Sequence, residues 1–315
     1  MQSEIRDPKS AIFLVGATAI GKSDVAVALA ERLDAEILSA DAFQVYAGLD
    51  LLTAKPSAEA LGRVRHHLAG AFPLSESMSV ARYLEEARRS VDDITTRGRR
   101  VVVVGGTGLY LRALTHGLTP GPASDPVLRA SLATLPATEA LDRLSLQDPE
   151  AYARVDRNNP RRVQRALEIA MLRAAAGPVE RASSMPGILP GVAPHPVGVF
   201  LQRDRTELLE RIAHRTAEMF QRGVLAEVAA VDPATVGPTA IHMIGWQECV
   251  ACLRGEIPQA EARQRITIAT RQYAKRQLTW FKRETDFVPL ALAPHESAAT
   301  TADRIVANIA GPRLS

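Results

Sequence analysis

The first residues with recognisable chemistry form a glycine-rich segment near the start of the chain. Residues 16–23 fit the spacing G-x-x-x-x-G-K-[ST]. An apolar run, residues 11–15, precedes them, and a stretch with helical periodicity, residues 23–33, follows. Glycines expose backbone N–H groups at a helix N-terminus, Lys22 adds positive charge, and the Ser23 hydroxyl can hold magnesium. We therefore predict a phosphate-chain site formed by Gly16, Ala17, Thr18, Ala19, Ile20, Gly21, Lys22 and Ser23.

A carboxylate follows the next apolar run of the chain. Asp41 comes directly after residues 37–40, 19 positions beyond Lys22. Because ligands of parallel α/β sheets bind at the carboxyl ends of the strands, we expect Asp41 beside the phosphate segment. There it could hold a metal ion or act as a general base. A plain capping role for Asp41 is the alternative.

A second glycine run ends the most hydrophobic strand pattern, residues 101–104. Nucleotide-hydrolysing proteins with the first motif normally carry a metal-binding Asp on a second strand, whereas this strand leads into Gly105-Gly106-Thr107-Gly108. No third glycine stands at Leu111, so the run is a weak dinucleotide fingerprint. We interpret it as a phosphate-facing turn with Thr107 as donor. An ordinary strand-to-helix turn is the alternative.

Positive charge is concentrated in separate segments, although the formal net charge is only +3. Residues 263–283 contain seven basic residues and no acidic one: Arg263, Arg265, Arg271, Lys275, Arg276, Lys282 and Arg283. Helical periodicity predicts one face with Arg271, Lys275 and Lys282, and an apolar face with Ile266, Ala269, Tyr273 and Trp280. Charge of one sign favours a polyanionic partner over a merely solvated face.

Two further arginine groups occur earlier in the chain. One comprises Arg154, Arg157, Arg161, Arg162 and Arg165, and the other Arg205, Arg211, Arg215 and Arg222. Basic groups on either side of a phosphate-binding core suggest nucleic acid. In the last group either Arg211 or Arg215 could reach a phosphate, since they lie four residues apart. Only five of the 38 basic residues are lysine, a bias that an arginine-rich proteome would also produce.

The order of the elements predicts an α/β fold. Continuous apolar runs alternating with amphipathic stretches up to residue 118 are typical of buried parallel strands separated by helices. Turn-rich seams near residues 119–126 and 177–196 enclose a helical region. We expect a P-loop NTPase-like parallel sheet core, residues 1–118 and 197–315, with an inserted helical subdomain, residues 119–196. After a strand at residues 197–201 we predict only helices.

Composition and the remaining motifs exclude several classes. With 46% hydrophobic and 23% charged residues the chain is typical of a globular protein. We expect no membrane span and no secretory signal. Two cysteines cannot form a disulfide scaffold, and Cys249 and Cys252 have no second pair for zinc, so we interpret them as buried thiols. We assign no metal role to His66 and His67.

Six segments together resemble a known family. They are residues 16–23, Ser39-Ala40-Asp41-Ala42-Phe43-Gln44-Val45-Tyr46, Leu52-Thr53-Ala54-Lys55-Pro56, Gly105-Gly106-Thr107-Gly108-Leu109-Tyr110, Asn159-Pro160-Arg161-Arg162, and residues 270–277 with Trp280-Phe281. In this order, and over residues 11–283, the chain is similar to bacterial tRNA dimethylallyltransferases. The combination is far more specific than the phosphate motif alone.

The resemblance implies an activity and a set of site residues. Members transfer a dimethylallyl group from its diphosphate to the exocyclic amine of adenosine 37 of tRNA, with Mg²⁺. By similarity, residues 16–23 would bind the diphosphate with Ser23 on the metal, Asp41 would be the general base, Thr107 would assist the leaving group, and Arg215 would neutralise it. The tRNA contacts would be Asp41, Ala42, Phe43, Gln44, Thr107, Arg129, Arg161, Arg162, Val163, Gln164, Arg165, His242, Met243, Ile244, Gly245, Trp246 and Gln247, to which the basic helix adds Arg271 and Lys275. We further expect a cytoplasmic monomer that binds the anticodon arm.

The chain departs from the family pattern at three positions. The family more often has Pro at Ala17, a small polar residue at Ile20, and Ser at Ala42. The first two changes leave a backbone cradle intact, whereas the last removes a hydroxyl beside Asp41 and puts a tRNA or base contact in question. Two other classes stay open on the residues alone. They are a small-molecule kinase, which would need ATP, and a non-catalytic RNA-binding protein, which would tolerate loss of Asp41.

Overall fold

A computed structural model describes residues 11–118, 121–122, 125–176, 186–187 and 197–310. The chain divides into two compact units, Met1–His116 with Gly187–Ser315, and Gly117–Pro186. The first contains the sheet, and the described part of the second is helical. The predicted boundary at residue 196 lies outside the described residues. Across the ranges that the structure describes, no helix is long and apolar enough to span a bilayer.

The strands of the described residues form one six-stranded parallel sheet, in the order β3-β2-β4-β1-β5-β6. The strands are β1 (Ala11–Gly16), β2 (Ala35–Ala40), β3 (His66–His67), β4 (Arg100–Gly105), β5 (Val197–Gln202) and β6 (Val288–Ala291). Every residue of β1 and β2 is buried, as expected for parallel strands covered on both faces. The predicted fold class, a P-loop-like α/β core with a helical subdomain, is confirmed.

The helices of the first unit are α1 (Lys22–Leu33), α2 (Ala58–Arg63), α3 (Val80–Thr96), α4 (Gly108–His116), α9 (Arg205–Gln221), α10 (Val224–Ala229), α11 (Trp246–Leu253), α12 (Gln259–Phe281) and α13 (Ala298–Ala310). Those of the second unit are α5 (Pro126–Ala133), α6 (Ala137–Gln147), α7 (Pro149–Arg154) and α8 (Pro160–Ala176). Short 3-10 turns occur at Pro233–Thr235 and Ala240–His242.

A local signal sets the start of helix α3. The Ser79 side chain accepts a hydrogen bond from the Arg82 N–H and so caps the helix. Its buried residues, which include Tyr83, Ala87 and Val91, recur every four positions and form one apolar face.

The edge strands escaped prediction. Strand β6 was missed because only Leu290 of its four residues is buried, so it lacks the continuous apolar pattern of the central strands. Pro289 is tolerated there because an edge strand does not need every backbone N–H. Strand β3 has only two residues, His66 and His67. His67 Nε2 lies 2.6 Å from Glu36 Oε2, an ion-pair geometry that accounts for this histidine without a metal.

The second unit has a core of its own. Leu132, Ala140, Leu144, Val163, Leu167 and Ala170 form a buried apolar cluster. Helix α6 packs against α8, and α5 also contacts α8. Burial of these side chains is the main driving force available to the unit.

Candidate active site

One cavity of about 470 Å³ joins the carboxyl ends of three strands. Thr18 follows β1, Asp41 follows β2, and Gly105 ends β4. All three line the cavity together with Ala19, Gly21, Lys22, Ser23, Asp24, Gln44, Thr53, Ala54, Val104, Glu210, Arg211, His214, Arg215, Glu218 and Gln277. The structure therefore brings the phosphate-binding loop (P-loop, residues 16–23), Asp41 and Arg215 into one site.

The P-loop has the backbone that a phosphate cradle requires. Gly21 caps α1 at φ 102°, a left-handed conformation that glycine adopts without steric cost. Lys22 Nζ donates to Gly16 O at 3.0 Å and to Ala17 O at 2.8 Å. Burial lowers the pKa of Lys22 to about 8, the Asp41 charge opposes this shift, and the Arg215 charge adds to it. Lys22 is thus predominantly positive at neutral pH.

Three arginines donate hydrogen bonds to the P-loop. Arg215 Nη2 donates to Thr18 Oγ1 at 2.9 Å, and Arg211 Nε donates to Ala19 O at 2.9 Å. Arg203, just before α9, donates through Nε to Ile20 O at 3.3 Å. Both candidates left open by the sequence therefore reach the P-loop, Arg215 against a side chain and Arg211 against the backbone.

The two arginines differ in burial. Burial lowers the pKa of Arg215, with Asp41 opposing and Arg211 adding to the shift, yet a guanidinium stays protonated. The Arg215 Nε is buried without a partner among the described residues, whereas Arg211 is exposed. Arg203 was missed, although its place directly after β5, at the ligand-binding edge of the sheet, was a usable signal.

Asp41 is fixed by its own turn. Its Oδ1 accepts hydrogen bonds from the N–H groups of Phe43 at 2.9 Å and Gln44 at 3.2 Å. The capping interpretation is thus part of the structure and does not exclude chemistry. Both bonds use Oδ1, so proton transfer at this residue would fall to Oδ2.

Thr107 lies against the Asp41 turn. Its Oγ1 accepts from the Ala42 N–H at 3.0 Å, and its N–H donates to Ala40 O at 3.3 Å. The cavity is lined by Gly105 of this turn and not by Thr107 itself. The Tyr273 hydroxyl hydrogen-bonds with the Thr107 side chain, while burial and then the Asp41 charge raise the pKa of Tyr273.

Helix α12 shows the predicted basic face but a different apolar face. Arg271, Lys275 and Lys282 are exposed, as predicted. The buried stripe, however, consists of Ala262, Ile266, Thr270, Ala274, Gln277 and Phe281. Ala269 and Tyr273 are only half-buried. The observed buried face contains small and polar side chains in their place, among them Thr270, Ala274 and Gln277. Gln277 ends the 270–277 motif, but its burial was not expected from the sequence, since glutamine is mostly exposed.

The segment 242–247 is only partly available to a ligand. His242 and Gln247 are exposed, and Ile244 is half-buried. Met243 and Trp246 are buried, and Gly245 has φ 97° at the start of α11. The tRNA contacts of Met243 and Trp246 stay predictions, and because both side chains pack in the interior these contacts would have to come from the backbone. Both residues can position their exposed neighbours.

Gln44 also has structural partners. Its Nε2 donates to Ala54 O at 2.9 Å and to Thr53 O at 3.3 Å. This side chain therefore holds the loop that follows Asp41, in addition to lining the cavity.

The arginines of the second unit have a shared anchor. Arg129 Nη2 lies 3.0 Å and Arg165 Nη1 2.8 Å from Glu168 Oε2. The Glu168 side chain is 2% exposed. Burial raises its pKa, but the bonds to Arg165 and Arg129 outweigh this and hold the pKa of Glu168 below its usual value. Glu168 was not predicted, because a glutamate on an arginine-rich helix resembles an ordinary surface residue.

The rest of that arginine group faces outward. Arg161 and Arg162 are exposed and Gln164 is half-buried. The Val163 side chain is buried in the core of the unit, so the tRNA contact predicted for this residue, which stays a prediction, would have to come from the backbone. Arg157 stacks over the Tyr152 ring at 4.5 Å.

The residues of the cavity fit a magnesium ion. Ser23 offers a hydroxyl, and Asp41 and Asp24 offer carboxylates on the same cavity wall, all of them oxygen donors of the kind that Mg²⁺ prefers. Within the described ranges, no group of three or more His, Cys, Asp or Glu side chains could hold a metal on its own. A magnesium ion here would thus need oxygens from a phosphate ligand and water as well.

Comparisons with known proteins point in one direction. A family model described as IPP transferase matches residues 44–284. The chain is 42% identical over 296 residues to the tRNA dimethylallyltransferase of Akkermansia muciniphila, covering 94% of this chain and 98% of that protein. It is 42% identical over 277 residues to tRNA dimethylallyltransferase 1 of Citrifermentans bemidjiense, covering 87% and 90%.

Solved structures agree with the fold. The full-length tRNA isopentenylpyrophosphate transferase of Bacillus halodurans superposes with a TM-score of 0.66 at 32% identity, over 96% of this chain and 97% of that one. A eukaryotic dimethylallyltransferase acting on tRNA gives a TM-score of 0.73 at 24% identity, over 95% and 78%.

Proposed function

The chain belongs to the IPP transferase family of tRNA-prenylating enzymes, and on this premise we propose that its donor is dimethylallyl diphosphate and its acceptor the exocyclic amine of adenosine 37 in tRNA. The observation that carries the proposal is the single cavity that combines a phosphate cradle with a carboxylate. A phosphate cradle suits a diphosphate leaving group, and a carboxylate suits removal of an amine proton.

The reaction is an alkyl transfer. The amine nitrogen forms a bond to the first carbon of the dimethylallyl group, the bond from that carbon to the diphosphate oxygen breaks, and the diphosphate leaves with the electron pair. The amine lone pair is delocalised into adenine, so the nitrogen is a weak nucleophile. Asp41 Oδ2 would take the amine proton as the new bond forms, while Oδ1 keeps the carboxylate oriented through Phe43 and Gln44.

Positive charge in the cavity would stabilise the leaving group. Lys22 belongs to the P-loop and Arg215 of α9 donates to it, so both lie where negative charge would grow on the departing diphosphate. Ser23 would hold Mg²⁺, which supplies Lewis-acid stabilisation of the diphosphate oxygens when bound. Thr107, whose Oγ1 accepts from the Ala42 N–H of the neighbouring Asp41 turn, would assist at the leaving diphosphate.

The acceptor is a base that must reach a cavity inside the protein. We expect adenosine 37 to be flipped out of its stack. The exposed cations Arg271 and Lys275 on α12 support a tRNA contact. In the second unit, Arg129, Arg161 and Arg162 present exposed guanidinium groups. We further propose that the chain acts as a cytoplasmic monomer, which sedimentation with and without tRNA would test.

The kinase alternative loses its support. The family model and the curated relatives are prenyltransferases of tRNA. Beyond those matches, a kinase would have no use for the exposed basic face of α12.

The decisive experiment uses labelled dimethylallyl diphosphate, Mg²⁺ and unmodified tRNA. Wild-type protein should transfer label to tRNA, and Asp41→Asn should lower kcat by at least about 100-fold. Asparagine retains Oδ1 for the Phe43 and Gln44 N–H groups, so the turn should survive. Asp92→Asn, an exposed change on α3, is the matched control. Turnover of ATP on a small metabolite without labelled tRNA would refute the proposal, and full transfer by Asp41→Asn would refute the role of Asp41.

A further inference from the structure

A buried glutamine bonds to both loops of the candidate active site. Gln277 lies on α12 and is 5% exposed. Its Oε1 accepts a hydrogen bond from the Thr18 N–H at 2.8 Å, and its Nε2 donates to Gly106 O at 2.9 Å. One planar amide therefore joins the P-loop to the turn that carries Thr107.

The two loops approach each other closely at Gly106. A Cβ atom added at Gly106 would lie 2.9 Å from Gly16 O and would collide with Gln277 Nε2. Gly106 therefore leaves the space that the amide fills. The amide suits this place because it presents an acceptor to the Thr18 N–H and a donor to Gly106 O from one rigid group.

The bond to Thr18 lies within the proposed diphosphate cradle. Thr18 also accepts from Arg215 through its side chain, so Gln277 and Arg215 together fix this residue at its backbone and at its hydroxyl. Without the amide, the Thr18 N–H and the buried Gly106 O would lose this partner. The loops would then move to recover hydrogen bonds, since an unsatisfied buried group is costly.

We infer that Gln277 is a positioning residue that holds the P-loop and the 105–107 turn in register, and so sets the geometry of the donor diphosphate site. The inference rests on the proposed function, and it gives a role to the last residue of the 270–277 motif. Both polar atoms of the amide are bonded to the two loops, although Gln277 also lines the cavity. Its effect should therefore appear in donor binding and in transfer, while tRNA affinity stays unchanged.

Lys275, on the opposite face of the same helix, makes it possible to distinguish an effect on donor binding from an effect on tRNA binding. Lys275 is exposed on the basic face of α12, and Gln277 is on the buried face. A change that only disturbed the helix would weaken tRNA binding and donor binding together. A change that acts through the two hydrogen bonds of the Gln277 amide would weaken donor binding alone.

The first test compares Gln277→Met with wild type. Methionine keeps the volume but removes both hydrogen bonds. We expect the KM for dimethylallyl diphosphate to rise, and the affinity for magnesium diphosphate in a calorimetric titration to fall, each about tenfold, with tRNA affinity within twofold of wild type. Gln264→Met, an exposed glutamine on the same helix, is the matched control. Diphosphate affinity within twofold of wild type would overturn the inference, as would an equal loss of tRNA affinity.

The second test is a pH profile of Gln277→Glu. A protonated carboxyl can accept from Thr18 and donate to Gly106 like the amide, whereas a carboxylate faces Gly106 O and the diphosphate with negative charge. The activity of this variant relative to wild type should therefore rise as pH falls. A pH-independent ratio would overturn the inference. If wild-type protein transfers no label, the proposed function fails. The diphosphate titration would still test whether the Gln277 amide positions the two loops.

Discussion

The Arg215 guanidinium donates to the Thr18 hydroxyl at 2.9 Å, joining two residues that are 197 positions apart in the chain. This contact fixes the distal arginine of α9 against the P-loop. It also explains why Arg215 tolerates burial: the guanidinium has a partner there and the carboxylate of Asp41 nearby. A diphosphate in the same cavity would meet a cation that is already oriented.

We expect Arg215→Lys to lower kcat/KM for dimethylallyl diphosphate by about 100-fold, because lysine keeps the charge but loses the planar fork that binds an oxyanion at two points. Steady-state kinetics at saturating tRNA would measure the effect. Arg222→Lys, an exposed change just beyond α9, should stay within twofold of wild type. Unchanged kinetics in Arg215→Lys would show that Arg215 does not contribute to diphosphate binding.

Lys22 predicts a pH dependence of donor binding. Its pKa is lowered from 10.5 to about 8 in the folded protein, so it loses its charge above pH 8. The KM for dimethylallyl diphosphate should rise up to about tenfold per pH unit above 8. In Lys22→Arg this dependence should disappear, because arginine does not titrate in that range. An identical alkaline limb in both proteins would assign it to another group.

Lys22 also affects the stability of the fold, and here a rise in pH is favourable. Between pH 8 and 10.5 the unfolded chain binds more protons at Lys22 than the folded chain does, so this residue makes the free energy of unfolding rise with pH. Lys22→Met should raise the melting temperature at pH 7, since it removes a charge that burial disfavours. A lower melting temperature for this variant in calorimetry would contradict the assignment.

Charge reversal on α12 tests the tRNA surface. Arg271→Glu with Lys275→Glu should raise the KM for tRNA at least about tenfold. The slope of log tRNA affinity against log salt concentration should also decrease, by the equivalent of about one to two phosphate contacts. Diphosphate affinity should stay within twofold of wild type. Arg63→Glu with Arg89→Glu makes the same change in net charge at two exposed positions, each in a surface ion pair of little energetic weight. Equal losses of tRNA and diphosphate affinity would count against a tRNA role for this face.

Glu168 should matter for the second unit more than its surface-like sequence context suggests. Glu168→Gln leaves Arg129 and Arg165 without a buried anion, and we expect a loss of about 3 kcal/mol in the free energy of unfolding. Because the pKa of Glu168 is lowered in the folded state, its contribution is present above the unfolded value near 4.5 and is lost as pH falls below it. Chemical denaturation at pH 7 and pH 4 measures both effects. Glu139→Gln, an exposed glutamate on α6, serves as the control.

Local patterns were enough to predict much of this protein. The P-loop could be found from the sequence because its chemistry depends on neighbouring residues: glycine conformations, a lysine and a hydroxyl at fixed spacing. The central strands could be found because both faces are buried, which makes them continuously apolar. Asp41 could be placed beside the P-loop because parallel strands end at one edge of the sheet.

Only the tertiary structure decided which distant residues complete the site. Gln277 bonds to Thr18 across 259 positions, and Arg203 reaches Ile20 across 183. Contacts of this kind leave no period or motif in the sequence, since the fold alone brings the atoms together. Burial was also decided by the fold: Val163 follows two arginines and Trp246 precedes a glutamine, yet packing places both side chains in the interior. The sequence thus determined the phosphate chemistry, and the fold determined which side chains hold that chemistry in position.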